Sequence, residues 1–507
     1  MRLGFSLLLG VLVAGGCAHR LHRAIVPPGA VKTVDRSAPY LKAHMQDGTV
    51  YVLSDWTVDE ALRRVRGTGT QYGLARQVLS RGTFDLALDS VALFETNVAR
   101  PSPSVAVLGV ITGVTAAITV FCITVPKACF GSCPTFYVSD GKRDLLQAEG
   151  FSASIAPSLE ARDVDALFRA RPRDREVRIR MVNEALETHI VRSVNVLAVP
   201  RPSGGRVFRD TDDAFWSAPE PTAPVTCTAP EGDCRAAVIA FDERERTSEA
   251  DSVDLATRET VDLTFAPMEG RLALVVASRQ SLLPTYLLYQ TFAYLGTSVG
   301  YWLAAFERAD KDTRDRAGRL VATLGGIDVL IPDGRGGWDS VATIMETGPL
   351  ASDLRLVPLP GSPDSVRVRL RMARGAWRLD LVGLTRVGRR AEPVRLLPHT
   401  VVGPTGQQDS ARAKLHDPTQ VLVTFPGDEY TMTYRLPDDG VEYELFLESQ
   451  GYYLEWMRRE WIAEENLASA AAMFFDPAGS LRRLAPAFKQ VEPHLEASFW
   501  GSKYVRR

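Results

Sequence analysis

The chain is poor in motifs that would assign it a chemistry. HExxH, GxxxxGK[ST] and GxGxxG are all absent, which removes the helical zinc-protease pattern and the usual nucleotide-phosphate loops. The seven histidines are scattered and none lies close in sequence to Cys129 and Cys133, so the closed four-ligand set of a structural zinc is not in view and no metal or other cofactor is expected. No long run of Lys and Arg occurs, and 59 basic residues nearly cancel 61 acidic ones. That excludes the strong positive field of a nucleic-acid-binding protein. Internal repeats and low-complexity tracts are also lacking. What remains, 45% apolar and 24% charged residues, is the composition of an ordinary globular protein and argues against wholesale disorder.

The strongest positive signal is at the N-terminus. Met1-Arg2 supplies a short positive start, Leu3 to Ala14 (LGFSLLLGVLVA) is an apolar core, and Gly15-Gly16-Cys17 follows. The apolar stretch is too short to span a bilayer as a stable helix, so removal after export is the natural reading. Small residues directly before a cysteine resemble the bacterial lipobox, in which that cysteine is acylated and becomes the new N-terminus. Ala14 stands where the lipobox usually has Leu. The resemblance implies a lipoprotein signal peptide over 1–16, lipidation of Cys17, and a membrane partner reached through the lipid. Ordinary cleavage after Ala18, with Cys17 discarded, is the alternative. Ala18 rather than Asp follows the cysteine, which by similarity to enteric lipoproteins implies the outer membrane.

A chain of 507 residues is too long for one core, so about three or more domains are expected. Residues 17–48 read as the lipidated cysteine and a tether. Residues 49–100 read as a small β-rich domain, in which TVYVL alternates and FDLALDSVALF forms two short strands around a turn, with the Gly-rich GTGTQYGLARQ between them. Residues 104–125 carry no charge over 22 positions. Their length meets the criterion for a membrane span, with Gly109 and Gly113 at a packing face, but their Val, Ile and Thr content and a lipid anchor already at Cys17 favour a buried helix or buried strands. Residues 129–200 form a Cys-containing β domain with strands EVRIRM and SVNVLAV, closed by PRPSGG. Residues 206–310 add strands at 236–241, 260–265 and 271–277, then the uncharged run 280–306, read as a buried helix or a strand followed by a helix.

Residues 325–400 look like a β-sandwich unit. GGIDVLI leads into the turn-rich PDGRGGW, and VRVRLRM alternates strictly, placing Val366, Val368, Leu370 and Met372 on one face and arginines on the other. The rhythm resembles jelly-roll modules that bind sugars. Residues 410–507 supply strands (VLVTF, YTMTYRL, VEYELFL) and then a helical C-terminal segment, with Leu454, Met457 and Trp461 at helical spacing. The expected fold class is therefore α+β, mainly β: several small sandwich- or jelly-roll-like domains, a buried apolar helix and a helical C-terminal segment.

Beyond Cys17 there are five cysteines, and an oxidising envelope makes disulfides the default for close pairs. Cys227 and Cys234 bracket TAPEGD, whose Pro and Gly permit a tight loop, and are the first candidate pair; Cys129 and Cys133 are the second. Cys122 reads as a buried thiol or an alternative partner for Cys129. CFGSCPTFYVSDG (Cys129 to Gly141) resembles a motif of small, uncharacterised bacterial envelope domains, which implies a β-hairpin stapled near its start. The C-x-x-x-C spacing running into a strand departs from the C-x-x-C of a thioredoxin-like centre.

Gly296-Thr297-Ser298-Val299-Gly300 matches G-x-S-x-G, the strained strand-to-helix turn of α/β-hydrolases, with a strand-like TYLLYQTFAYL before it. Ser298 would be the nucleophile of a serine hydrolase, with Asp380 and one of His399, His416 or His494 as partners. The alternating strands and helices of a doubly wound sheet are missing. Asp333, Asp339 and Asp353 surround the turn-rich segment without the spacing of a calcium loop. GYYLEWMRREWIAEEN (Gly451 to Asn466) reads as an amphipathic helix packing Tyr453, Met457 and Trp461 into a core, or as an aromatic surface for a partner. With LLPTYLLYQ, GYWLAAFER and FWGSKYVRR, it resembles a family of bacterial envelope proteins without assigned function, implying a shared architecture. The expectation is a non-enzymatic binding or scaffold lipoprotein of the cell envelope, carbohydrate- or protein-binding, with a serine hydrolase using Ser298 as the alternative.

Overall fold

The computed structural model describes residues 19–101, 133–455 and 464–501, except 27, 39, 46–48, 73–77, 156–158, 186, 300–301, 303–318, 346–347, 361–365 and 426. It divides between Gly113 and Val114 into two compact units.

The first unit is a six-stranded antiparallel sheet in the order His19–Val26, Val91–Pro101, Leu41–Met45, Val50–Asp59, Arg64–Tyr72, Val78–Ala87. Leu41, Ala43, Leu53, Val65, Leu86 and Phe94 form its core. The stretch expected as a tether instead supplies two strands, because His19–Val26 pairs residue for residue with Val91–Pro101. The described part of the Gly-rich segment, residues 67–72, belongs to strand Arg64–Tyr72. Gly69 is required there: a Cβ would meet the Val52 carbonyl oxygen at 1.9 Å.

The described part of the second unit stacks four sheets. Sheet I runs Gly406–Gln407, Thr400–Gly403, Glu429–Arg435, Glu176–Val182, Thr135–Ser139, Asp144–Glu149. Sheet II runs Val394–Leu396, Glu187–Pro200, Tyr443–Glu455, Ala161–Ala166, with Leu422–Thr424 also paired to Glu187–Pro200. Sheet III runs Trp377–Arg386, Leu272–Gln280, Asp353–Pro358, Arg206–Asp210, Phe215–Ala218, Arg390–Ala391. Sheet IV runs Gly232–Asp233, Thr226–Ala229, Arg258–Phe265, Val366–Ala373, Ile327–Pro332, Trp338–Ile344.

Three apolar layers separate these sheets. Val194, Val196, Leu445 and Leu447 of sheet II meet Ile179 and Met432 of sheet I. Leu197, Val199 and Phe446 face Ala273, Val275 and Leu356 of sheet III. Leu272, Leu274 and Val276 then face Val261, Val368 and Leu370 of sheet IV. The inner strands are thus buried on both faces, which is why Leu272–Gln280 reads LALVVASRQ, an apolar run without alternation. On outer sheet IV one face is solvated, and Val366–Ala373 alternates as the sequence predicts.

The chain order nests one sandwich inside the other. Sheets I and II are built from residues 135–200 and 394–455, and sheets III and IV from 206–391. The chain leaves sheet II after Pro200 through a turn in which the Gly205 amide donates to the Pro202 carbonyl, and returns between Ala391 and Val394. Boundaries drawn from composition at 129–200, 325–400 and 410–507 cut across these sheets, since Glu187–Pro200 pairs with Tyr443–Glu455 along its length.

Five helices complete the described unit: α1 (Leu283–Leu295), α2 (Arg319–Leu324), α3 (Asp409–His416), α4 (Leu467–Phe475) and α5 (Pro477–Gly501). Leu283, Leu287 and Phe292 of α1, Met473 of α4, and Leu481 and Phe488 of α5 share the core between sheets III and IV. TYLLYQTFAYL is the body of α1, so of the two readings of the uncharged run the buried helix holds and the strand-like context of G-x-S-x-G does not. Two sequence expectations need correction. GYYLE, expected in a helix, is the end of strand Tyr443–Glu455, with Tyr453 buried there. The strand expected at 236–241 is a short 3-10 turn, Arg235–Ala237, and an isolated bridge at Ile239. In GYYLE, burial of Gly451, Tyr452 and Tyr453 in succession removes the solvent-facing positions that would reveal the strand period.

Candidate functional site on the outer sheet

The solvated face of sheet IV is where alternation places polar side chains in a row. Arg367, Arg369 and Arg371 point outward from Val366–Ala373, while Val366, Val368, Leu370 and Met372 are buried. Register sets Asp262 opposite Arg369 and Asp328 opposite Arg371. Both arginines are held by their carboxylates: Arg369 Nε and Nη2 donate to Asp262 Oδ1 and Oδ2 at 2.6 and 2.9 Å, a bidentate fork. Arg371 donates to Asp328 Oδ2 at 3.0–3.1 Å, and Thr343 Oγ1 donates to Asp328 Oδ1 at 2.8 Å. The Asp262 hydrogen bonds hold the Arg369 guanidinium above its ordinary pKa.

Trp338 adds an aromatic plane to this grid. The Arg369 guanidinium lies 4.2 Å from its ring centroid and that of Arg367 5.6 Å, within cation–π range. Arg367 makes no ion pair among the described residues, so its donors face solvent beside the indole. Thr260 and Thr264 continue the row on Arg258–Phe265, partly exposed. An indole ring, planar guanidinium forks, carboxylates and hydroxyls on one rigid sheet can stack on a sugar ring and exchange hydrogen bonds with its hydroxyls.

The residues singled out from the sequence do not converge on this face. Cys17, Cys122 and Cys129 lie outside the described residues, as does the uncharged segment 104–125. Cys227 and Cys234 form a disulfide. Cys133, expected to pair with Cys129, is instead a free buried thiol. Burial, with the nearby Glu149 and Glu187 carboxylates, pushes that thiol well above its ordinary pKa, the opposite of an activated nucleophile. It sits near a fully buried pair in which His189 Nε2 and Glu187 Oε2 are 3.0 Å apart.

Ser298 ends a 3-10 turn, Gly296–Ser298, that follows helix α1. A helix therefore stands where the hydrolase turn needs a strand. Gly296 has its own reason to be there: φ is 51°, and a Cβ would meet Glu465 Cβ at 2.5 Å. Among the described residues no hydrogen bond joins Ser298 to a histidine or carboxylate. Asp380 instead accepts the backbone amides of Asp242 and Glu243 at 3.1 Å. His416 Nε2 lies 2.8 Å from the Pro398 carbonyl, and His399 and His494 sit on other elements. Asp333 caps its turn through the Arg335 and Gly337 amides at 2.7 Å, and Asp353 is buried against Arg209 and Arg355. Among the described residues no group of three or more His, Cys, Asp or Glu is arranged to hold a metal ion.

Other polar sites had no signal in the sequence. Arg246, only 2% exposed, forks onto Glu259 at 2.7 and 3.0 Å and onto Glu231 at 2.7 and 2.9 Å. These partners come together through tertiary packing alone. No protein-family model matches the chain, and no curated protein matches it.

Proposed function

We propose that this chain is a non-enzymatic binding protein of the bacterial envelope, anchored through acylated Cys17 and presenting the outer face of sheet IV to carbohydrate. The observation that carries the binding role is Trp338 lying beside Arg367 and Arg369, with Asp262 and Asp328 fixing the neighbouring arginines. An aromatic plane held on a strand keeps its orientation at low entropic cost, which favours stacking on a sugar ring. The lipobox-like Gly15-Gly16-Cys17 supports the anchor. Among the described residues no helix is long and apolar enough to cross a membrane.

Two measurements test the two halves. Co-sedimentation with purified envelope polysaccharides should retain the wild-type chain, and Trp338→Ala should weaken retention about tenfold, the scale of one lost aromatic contact. Equal retention of both would remove sheet IV as the binding face. Mass spectrometry of the mature N-terminus should find an acylated Cys17, with processing lost in Cys17→Ala. An unmodified N-terminus near His19 would overturn the anchor.

A further inference from the structure

A second polar site lies at the seam of sheets II and III. A cleft of about 330 Å³ opens between the loop after Ala161–Ala166, Arg201 just beyond Glu187–Pro200, Arg206 at the start of Arg206–Asp210, and residues Tyr443–Leu445. That volume is at the small end of ligand sites, enough for one small molecule.

Three guanidinium groups line it. Arg206 is buried to 8% side-chain exposure. Its Nη2 donates to Glu444 Oε1 at 2.9 Å and to the Phe168 carbonyl at 3.2 Å, and its guanidinium carbon is 3.5 Å from the Phe168 ring centroid. It is therefore fixed in place. Arg201 is half-buried, with Nη2 at 3.1 Å from Glu442 and Nη1 at 4.0 Å from Glu444. Arg171 is exposed and bonds only the Ala170 carbonyl, at 3.1 Å, with no carboxylate partner among the described residues.

Charge in the cleft is incompletely neutralised. Only one of the carboxylates, Glu444, is buried with the arginines; Glu442 and Glu220 are 61% and 63% exposed, where pairing is weak. The Nε atoms of both Arg201 and Arg206 are buried without an acceptor, a cost that a native site carries for a reason. Burial also lowers the Arg206 pKa despite Glu444 beside it. The Tyr443 hydroxyl is engaged by Asp439, so its ring, Leu167 and Leu445 offer apolar wall.

We propose that this cleft is an oxyanion site, taking the phosphate or carboxylate group of a small ligand on Arg171 and Arg201, with Arg206 held behind them by Glu444 and Phe168. Arginine forks match both groups bidentately. Glu444 acts as an internal counter-charge that keeps the arginines ordered while the cleft is empty, and it opposes the incoming anion. The site is independent of the outer-sheet reading, because it lies on other sheets and uses none of the same residues.

The test is calorimetric titration of the full chain at fixed ionic strength, with inorganic phosphate in one arm and succinate in the other. Saturable one-to-one binding is expected in at least one arm, and which arm binds identifies the source of the oxyanion. Arg171→Gln and Arg201→Gln, both at solvent-reachable positions, should each weaken it about tenfold while leaving the thermal midpoint unchanged. Glu444→Gln should tighten it several-fold by removing the opposing charge. Absence of saturable binding in both arms, or affinity unchanged in both arginine variants, overturns the proposal.

Discussion

Asp380 illustrates how one buried side chain sets a pH dependence. It is 2% exposed and is held by two backbone amides, yet burial, aided by the charges of Glu245 and Asp242, pushes its pKa up to about 6 from 3.8. Between those two values the folded chain keeps a proton that the unfolded chain has lost. Its contribution to stability is therefore full below about pH 4, falls as pH rises toward 6, and stays low above that. Asp380→Asn keeps an oxygen acceptor for both amides and removes the ionisation. The variant should melt higher than wild type at pH 8 and show no gain at pH 4. An equal loss at both pH values would mean that amide geometry, not charge, governs the site.

At the scale of elements, the Cys227–Cys234 disulfide closes a tight connection on sheet IV. The Cys234 amide also donates to the Cys227 carbonyl at 3.0 Å, and both side chains are buried. Closing a loop of 7 residues removes about 2.5 kcal/mol of unfolded-chain entropy on the loop-closure model. Cys227→Ala/Cys234→Ala should lower the unfolding free energy of the second unit by about 2 kcal/mol in urea. A loss below 0.5 kcal/mol, a threshold of about the noise between surface variants, would show that hairpin packing alone holds the loop. Glycine matters at this scale too. Gly451 lies within the long pairing of Tyr443–Glu455, and a Cβ there would strike the Ile190 carbonyl at 2.4 Å. The adjacent register shift at Val191/Ser193 marks where the two strands adjust to that approach.

The whole molecule is governed by the insertion of one sandwich into the other. Residues 129–200 contain strands of both sheet I and sheet II, but their neighbours Glu429–Arg435 and Tyr443–Glu455 come from more than 200 positions further on. A fragment of 129–200 should therefore show no cooperative thermal transition by circular dichroism. A sharp transition in that fragment would contradict the pairing. The same insertion buries charge at the seam, where Asp353 of sheet III accepts the Ala166 amide of sheet II at 2.9 Å. Burying an apolar layer and satisfying a backbone donor at one seam ties the two sandwiches into a single unit.

The legibility of each part follows from what its side chains face. Val366–Ala373 was readable because solvent covers one side, so apolar and charged residues alternate. Cys227 and Cys234 were readable because their separation is short and their loop holds Pro and Gly. Leu272–Gln280 and the start of Tyr443–Glu455 read as strands, but GYYLE at the end of the second does not. Glu444, Glu448 and Ser449 are buried along with their apolar neighbours, so polarity there marks no solvated face and gives no period by which to tell strand from helix. The G-x-S-x-G match failed for a related reason: the sequence shows Gly296, but only packing shows that it ends a helix against Glu465. Local composition by itself determined the mainly β character, the solvated face of sheet IV and the short disulfide, because each depends on residues near in sequence. The order of the sheets, the nested sandwiches, the free Cys133 and the cleft of Arg171, Arg201 and Arg206 were decided only by the tertiary structure, because their partners are brought together by burial across hundreds of residues.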